Sequence, residues 1–199
     1  MHGFEYPTEP HARRHEPGGY QDYESYRDWL RDEFLFRCVY CLHREQWYGR
    51  GVAFTIDHQS PIVANPSGTL EYTNLVYACA TCNNAKRGLR DVPDPCGLAF
   101  ASCLRINEDG VVVSLNHAGE SLIKKLRLNN PRNLHYRFRW MRVLALLQIE
   151  DEALYRENMG FPDDLPDLRT RRAPANSRPE SVADCFFALR ERGVLPATY

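Results

Sequence analysis

Four of the seven cysteines in this chain form two Cys-x-x-Cys pairs, Cys38 with Cys41 and Cys79 with Cys82. A turn of this kind directs two thiolates at one metal ion, and two such turns complete a tetrahedral site for zinc. Because four thiolates leave no open position on the ion, we expect the zinc to stabilise the fold and to take no part in catalysis. The alternative is a redox-active pair, which usually follows a strand of a βαβ unit, and the sequence predicts no such unit.

The remaining composition is typical of a compact globular protein. Of the 199 residues, 43% are hydrophobic and 26% are charged, and no apolar run is long enough to cross a membrane. The N-terminal residues lack the apolar stretch of a signal peptide, so we expect a cytoplasmic location, where disulfide bonds are rare. We interpret Cys103 and Cys185 as small core residues and Cys96 as an exposed one.

Hydrophobic spacing divides the chain into four parts, which are 1–20, 21–92, 93–160 and 161–199. The first part has prolines, histidines and glycines without periodicity, so we predict a mobile arm. The second part contains both cysteine pairs. Its pattern predicts a helix over 23–36, a strand over 52–56, an apolar segment over 74–80 and a short helix from about Thr81 to Gly88.

The third and fourth parts are predicted to be mainly helical. Residues 104–107 and 111–115 flank Glu108, Asp109 and Gly110, and this pattern predicts a hairpin. The spacing then predicts a helix over 118–127, a long helix over 131–158, a Pro-rich linker over 161–179 and a final helix over 181–192. One broad face of the long helix is predicted to hold Leu134, Phe138, Met141, Leu144, Ala145, Leu147 and Leu154.

Polar residues that could carry chemistry lie between and just after the two cysteine pairs. Asp57 and His58 end the predicted strand, Asn74 precedes the second pair, and Asn83 follows it. Over about 36–88, the pattern CVYC…IDHQSP…NLVYACATCNNAKRG resembles the HNH endonuclease family in its zinc-bound, four-cysteine form. Each element alone is common, but their order and separation are specific to that family.

The resemblance implies an α+β chain with a ββα-metal core, in which two strands and a helix surround one catalytic divalent ion. An N-terminal helix and a mainly helical C-terminal extension would flank this core. The resemblance also implies roles for single residues: Asp57 is a metal ligand, His58 is the general base, Asn74 holds the loop and the histidine in place, and Asn83, in place of the usual final histidine, is the second metal ligand. Carboxylate and amide oxygens are hard donors, so this HNN variant favours Mg²⁺ or Mn²⁺ as the catalytic ion.

Elementary chemistry agrees with these implied roles. Phosphodiester hydrolysis needs an activated water and positive charge at the phosphate. The imidazole of His58 is a side chain that can accept the proton of that water near neutral pH. Considered singly, His58 would more often be a surface histidine at a strand end, and Asn83 would more often be a helix cap.

Basic residues provide a second signal, although the formal net charge of the chain is only −1. We predict nucleic-acid contacts at Lys86, Arg87, Arg90, Lys124, Lys125, Arg127 and Arg132. The segment 121–142, which also contains Arg137, Arg139 and Arg142, has seven basic residues and no acid. Two alternatives are a solvated basic turn after the helix and ion pairs with the acidic residues downstream, from Glu150 to Asp167.

The first hypothesis is therefore a metal-dependent endonuclease that hydrolyses DNA, with RNA as an open alternative substrate. The resemblance implies products with 5′-phosphate and 3′-hydroxyl ends. One such site cuts one strand, so a double-strand break would require a homodimer or repeated nicking. A second hypothesis is a zinc-stabilised nucleic-acid-binding or adaptor module without cleavage. A third is an effector subunit of an anti-phage or mobile-element system that a partner such as an ATPase or guide complex recruits.

Overall fold

The computed structural model describes residues 3–48, 54–171 and 179–199. Within these ranges the α-helices are α1 (Arg27–Glu33), α2 (Ala80–Lys86), α3 (His117–Leu126), α4 (Pro131–Glu150), α5 (Glu152–Met159) and α6 (Phe186–Glu191). The strands are β1 (Phe54–His58), β2 (Leu75–Cys79), β3 (Leu104–Ile106) and β4 (Val112–Ser114). None of the helices in these ranges is both long enough and apolar enough to cross a membrane.

A ββα unit lies at the centre of the fold. β1 and β2 pair antiparallel, with Asp57 opposite Val76 and His58 opposite Leu75. Every residue of β2 is buried, and the strand continues directly into α2, which contacts both strands. This arrangement confirms the predicted α+β class with two strands and a helix. The strand was predicted over 52–56, whereas β1 occupies 54–58, and residues 52 and 53 lie outside the described ranges.

The N-terminal region packs against this unit. The predicted helix over 23–36 is a 3-10 turn (Tyr23–Tyr26) followed by α1, with Asp22 as the cap of the turn. The prediction of a mobile arm is wrong for residues 3–20, because Phe4, Tyr6 and His15 are buried. The proline-rich composition of this segment obscured the few side chains that attach it to the core.

The predicted hairpin over residues 104–115 is confirmed. β3 and β4 pair antiparallel, and Gly110 turns the chain with a φ of +79°. A Cβ atom at Gly110 would lie 3.1 Å from the backbone nitrogen of Phe138, so the turn also depends on a close approach to α4. α3 follows, and the side chain of Asn116 caps it by accepting a hydrogen bond from the backbone N–H of Gly119.

The predicted single helix over 131–158 is two helices. α4 ends at Glu150, and Asp151 begins α5 by accepting a hydrogen bond from the backbone N–H of Leu154. The predicted apolar face is only partly correct, because Met141 and Leu144 are buried whereas Phe138, Ala145 and Leu154 are exposed. Two polar residues, Asn133 and Arg137, are buried instead.

The C-terminal part also packs against the rest of the chain. The linker prediction is wrong for residues 161–171, because Leu165 and Leu168 are buried and the ring of Phe161 lies 4.6 Å from that of Phe186. The other predicted linker residues before 179, namely 172–178, lie outside the described ranges. The final helix is shorter than predicted, since a 3-10 turn (Glu180–Asp184) precedes α6.

Candidate active site

The four paired cysteines meet at one point, as predicted. Their sulfur atoms all lie within 4.8 Å of one another, and the Sγ atoms of Cys41 and Cys79 are 3.6 Å apart. Zinc–sulfur bonds of about 2.3 Å in a tetrahedron require sulfur atoms about 3.8 Å apart. The cluster therefore fits a structural zinc ion.

Charge supports the same assignment, because all four thiols are buried. Burial raises the pKa of Cys41. Hydrogen bonding within the cluster, above all with Cys38, raises the pKa of Cys82 and lowers that of Cys79. Four thiolates would repel one another in this interior unless a divalent cation balanced them. Cys96 is half-buried, whereas Cys103 and Cys185 are buried core residues, as predicted.

The cysteine pairs join elements that are distant in sequence. Cys38 and Cys41 follow α1, while Cys79 and Cys82 lie at the junction of β2 and α2. The N–H of Val39, inside the first pair, donates a hydrogen bond to the carbonyl of Tyr77 on β2. Zinc at the cluster would therefore fasten the region after α1 to the ββα unit.

His58 lies at the end of β1 with one ring nitrogen engaged. Its Nε2 donates a hydrogen bond to the carbonyl oxygen of Thr69 at 3.0 Å, which assigns the proton to Nε2. Nδ1 then carries the lone pair, and no hydrogen-bond partner approaches it from the described parts of the chain. A neutral imidazole in this tautomer can accept a proton at Nδ1.

Asn74 connects the two ends of the loop that follows β1. Its Oδ1 accepts from the N–H of Ser60 at 2.7 Å, and its Nδ2 donates to the carbonyls of Ser60 and Gly68. Thr69, which holds His58, is the residue after Gly68. The contacts of Asn74 thus reach the segment whose carbonyl orients the histidine.

Asn83 lies in α2 against β1. Its Nδ2 donates to Oγ1 of Thr55 at 2.8 Å and to the carbonyl of Ile56 at 3.3 Å. Both partners accept, so the amide orientation is fixed with nitrogen towards the strand. The amide oxygen has no hydrogen-bond partner in the described ranges and is the donor type that a hard divalent ion prefers.

Asp57 has a different environment from the one the sequence predicts. Its Oδ1 lies 3.0 Å from Nζ of Lys86, and its Oδ2 accepts from the Tyr40 hydroxyl at 2.7 Å. Burial raises the pKa of this carboxyl, and the contacts with Lys86 and Tyr40 offset that effect only in part. Each carboxylate oxygen keeps a further lone pair, so Asp57 can still bind a metal ion. Its charge is, however, already paired with the ammonium group of Lys86.

Lys86 was predicted to contact nucleic acid, and that prediction is wrong because its side chain is fully buried. Nζ of Lys86 also donates to the backbone carbonyl of His58. A signal was present in the sequence: Lys86 lies three residues after Asn83, so the two share a face of α2. That face packs against β1, where Asn83 contacts Thr55 and Lys86 contacts Asp57.

Similarity to known families agrees with this geometry. Residues 38–88 match the family model for HNH endonuclease. The chain contains an HNH domain. The match covers about a quarter of the chain and ends at Gly88, just after α2. No curated protein matches the chain.

Beyond the HNH domain, α3 forms one wall of an open groove of about 760 Å³, and the end of α2 forms the other. Several predicted nucleic-acid-binding residues border it, among them Arg87, Lys124 and Arg127, all exposed. Lys125 also borders the groove, but its Nζ donates to the carbonyls of Arg90 and Asp91. Arg132 is exposed at the start of α4.

Some of the acidic residues downstream of the HNH domain form ion pairs with other arginines. Glu152 pairs with Arg156, and Asp167 pairs with Arg169. In the described ranges no carboxylate forms an ion pair with Arg87, Lys124 or Arg127. Arg137 is an exception within the basic segment, because it is fully buried and donates to the carbonyls of Gly110 and Leu128.

Proposed function

We propose that the chain is a metal-dependent endonuclease that hydrolyses phosphodiester bonds in DNA. The observation that carries this proposal is the state of His58 in the HNH domain, with Nε2 bound to Thr69 and Nδ1 available. A base held in one tautomer suits the activation of water, and the same domain offers the amide oxygen of Asn83 as a metal donor.

In this proposal Nδ1 of His58 removes a proton from a water molecule. The water oxygen attacks the phosphorus atom, and the bond from phosphorus to the 3′ oxygen breaks. The 3′ oxygen takes a proton from solvent, and the products are a 5′-phosphate and a 3′-hydroxyl. Thr69, held through Asn74 and Gly68, keeps the imidazole oriented while it carries the proton.

We propose that Asp57 and Asn83 hold one Mg²⁺ or Mn²⁺ ion. When bound, such an ion supplies positive charge that stabilises the phosphate as it is attacked. The amide oxygen of Asn83 is open for this role, and Asp57 would use lone pairs that Lys86 and Tyr40 leave. The donor set fits a hard ion in kind, although Lys86 lowers the attraction of Asp57 for it.

The groove between α2 and α3 supports a polyanionic substrate. Three cations border it, namely Arg87, Lys124 and Arg127, and none of them has a carboxylate partner in the described ranges. They are therefore available to bind phosphate groups. Arg90 and Arg132 are exposed and extend the proposed nucleic-acid-binding set. We propose that the groove binds the DNA backbone beside the HNH domain.

A second candidate function is a zinc-stabilised nucleic-acid-binding or adaptor module without cleavage. The specific observation in its favour is the ion pair between Asp57 and Lys86, which neutralises one of the two proposed metal ligands. Under this alternative the groove binds nucleic acid and the zinc cluster holds the fold. The two candidates differ only in whether the bound strand is cut.

An effector role in an anti-phage or mobile-element system, with an ATPase or guide complex as partner, remains a hypothesis from the sequence. A mobile arm and a flexible linker would suit recruitment by such a partner, but residues 3–20 and 161–171 pack against the core. Strong sequence-independent nicking by the isolated protein would argue against it. Whether the protein forms a homodimer would decide between paired and single cuts.

The test is nicking of supercoiled plasmid with Mg²⁺ or Mn²⁺ by the zinc-loaded wild type, His58→Ala and His135→Ala. We expect wild type and the control at the exposed His135 to nick, and His58→Ala to be slower by about 10²- to 10⁴-fold. Equal rates for wild type and His58→Ala would overturn the catalytic assignment. Plasmid binding without nicking by any of the three proteins would favour the adaptor.

A further inference from the structure

The HNH match begins at residue 38, yet a residue well before it touches the proposed general base. The rings of Tyr23 and His58 are edge to face, with centroids 4.9 Å apart and planes at 77°. We propose that Tyr23 is a positioning residue, whose ring fixes the orientation of the His58 imidazole. This inference rests on the proposed function for its catalytic consequence, but its structural content can be tested separately.

A single hydrogen bond does not fix an imidazole ring. The torsion that rotates the histidine ring is broad, because it joins an sp³ carbon to an sp² carbon. The bond from Nε2 to the carbonyl of Thr69 holds one atom of His58 and leaves the ring able to rock about that contact. A second contact on the ring removes this freedom, and the Tyr23 ring provides it.

Tyr23 itself is held in place by its neighbours. It begins the 3-10 turn that Asp22 caps and that leads directly into α1, whose Trp29 and Leu30 are fully buried. One residue after the turn, the guanidinium of Arg27 donates to the carbonyl of Phe54, the first residue of β1. The turn that carries Tyr23 and the strand that carries His58 are therefore tied together directly.

The exposure of Tyr23 also suits a place at the border of a site. The ring is half-buried, whereas Tyr26 in the same turn is fully buried in the core. The Tyr23 hydroxyl makes no hydrogen bond in the described ranges, so its ring, not its hydroxyl, accounts for the contact with His58. The general base is thus enclosed on one side by a segment outside the HNH match.

The chain offers a matched control at Tyr20. This tyrosine is also half-buried in the N-terminal segment, packs against Tyr26 at 4.8 Å, and accepts a hydrogen bond from Nε1 of Trp29. Tyr20→Ala removes a ring of the same size as Tyr23→Ala does. In the described ranges, however, the Tyr20 ring has no contact with the ring of His58. A merely structural role for the segment would make the two alanine variants alike.

The kinetic test compares Tyr23→Ala, Tyr23→Phe and Tyr20→Ala in zinc-loaded full-length protein. We expect Tyr23→Ala to lower kcat for plasmid nicking by about 10- to 100-fold, with KM for DNA within about twofold of wild type. Tyr23→Phe keeps the ring, so its kcat should be that of wild type. A wild-type kcat in Tyr23→Ala, or an equal loss in Tyr20→Ala, would overturn the proposal.

A spectroscopic test shows whether Tyr23 orients the His58 ring and does not require nuclease activity. In long-range ¹H–¹⁵N spectra the His58 ring, assigned with His58→Gln, should give one Nε2–H pattern in wild type, Tyr23→Phe and Tyr20→Ala. In Tyr23→Ala that pattern should shift or broaden as the ring samples a second orientation. If the protein does not nick DNA, the nuclease proposal fails and this spectrum still tests the contact. An unchanged His58 pattern in Tyr23→Ala would show that Tyr23 does not position the ring.

Discussion

Nζ of Lys86 lies 3.0 Å from Oδ1 of Asp57, and the two side chains are 0% and 3% exposed. If one partner of such a buried ion pair is removed, the charge of the other is left unpaired away from water, which destabilises the folded state. The pair also joins two elements of the HNH domain, because Asp57 belongs to β1 and Lys86 ends α2. Tyr40, from inside the first cysteine pair, donates to the same carboxylate and extends the connection to the zinc cluster.

Replacement of Lys86 by methionine should destabilise the protein by about 3–5 kcal/mol, because it leaves the buried Asp57 charge without a partner. The double variant Lys86→Met with Asp57→Asn should recover most of that loss, since it removes both charges. Urea unfolding of the zinc-loaded proteins measures the difference. A loss below about 1 kcal/mol in Lys86→Met would mean that the pair does not stabilise the domain.

Removal of the zinc ion should unfold the HNH domain. The free energy of zinc binding to structural sites, about 10–16 kcal/mol, is available only to the folded state and so becomes folding free energy. We expect Cys38→Ser to contain less than one zinc per chain and to lack a cooperative unfolding transition. Elemental analysis and circular dichroism measure the two effects.

Cys96→Ser is the matched control for the zinc prediction, because Cys96 is half-buried and lies outside the cluster. It should keep one zinc per chain and unfold as wild type does. Full zinc content and normal unfolding in Cys38→Ser would contradict the assignment of that cysteine as a ligand.

Local signals in the sequence predicted the parts of the fold that local chemistry determines. The cysteine pairs, the turn at Gly110 and the start of α4 at Pro131, which the side chain of Asn130 caps, each depend on residues close together in sequence. A metal-binding turn, a positive φ and an N-cap need no distant partner to be recognised. The same pattern placed His58 and Asn74 at opposite ends of one loop, where His58 donates a hydrogen bond to the carbonyl of Thr69 and Asn74 donates one to the carbonyl of the preceding Gly68.

Buried cations could not be predicted in this way. Arg137 reads as one more member of a basic helix, yet it fills the space beneath the hairpin and donates to the carbonyl of Gly110. Lys86 likewise reads as a phosphate contact until Asp57 is placed beside it. The burial of a lysine or arginine depends on acceptors that tertiary structure supplies. Helical spacing places Lys86 on the same face as Asn83 but does not reveal those acceptors.

The packing of residues 3–20 also depends on hydrogen-bond partners that only the tertiary structure supplies. Two adjacent acids of α1, Asp32 and Glu33, accept hydrogen bonds from His15 and His11 at 2.7 and 2.8 Å. Glu33 also accepts from the backbone N–H groups of Arg14 and His15. An irregular segment without hydrophobic periodicity can therefore be fixed by buried carboxylates, which a pattern of apolar residues does not reveal.

Glu33 should make the stability depend on pH in acid. Burial acts to raise its pKa, but hydrogen bonds from His11 and from the N–H of Arg14 outweigh burial and lower the pKa from 4.5 to about 2. Because the folded pKa lies below the unfolded one, the stabilisation is complete above pH 4.5 and declines as the pH falls towards 2. Its full size is about 3 kcal/mol.

The measurement for Glu33 is the difference in free energy of unfolding between wild type and Glu33→Gln at several pH values from 7 downward. The comparison is made only at pH values at which elemental analysis shows that both proteins still hold one zinc per chain. The difference should stay constant to about pH 5 and then shrink as wild type loses its advantage. A difference that grows on acidification would contradict the lowered pKa.

The groove between α2 and α3 should determine how strongly salt weakens DNA binding. Each phosphate contact adds about 0.9 to the slope of log K against log salt concentration for duplex DNA. Arg87→Gln, Lys124→Gln and Arg127→Gln should each lower that slope by about 0.9 if each cation contacts one phosphate. The His58→Ala background prevents cleavage during the titration.

Arg105→Gln is the control, because it removes an exposed arginine of β3 that does not border the groove. Its slope should equal that of the parent protein. An equal fall in slope for Arg105→Gln would place the phosphate contacts over the whole surface and not in the groove.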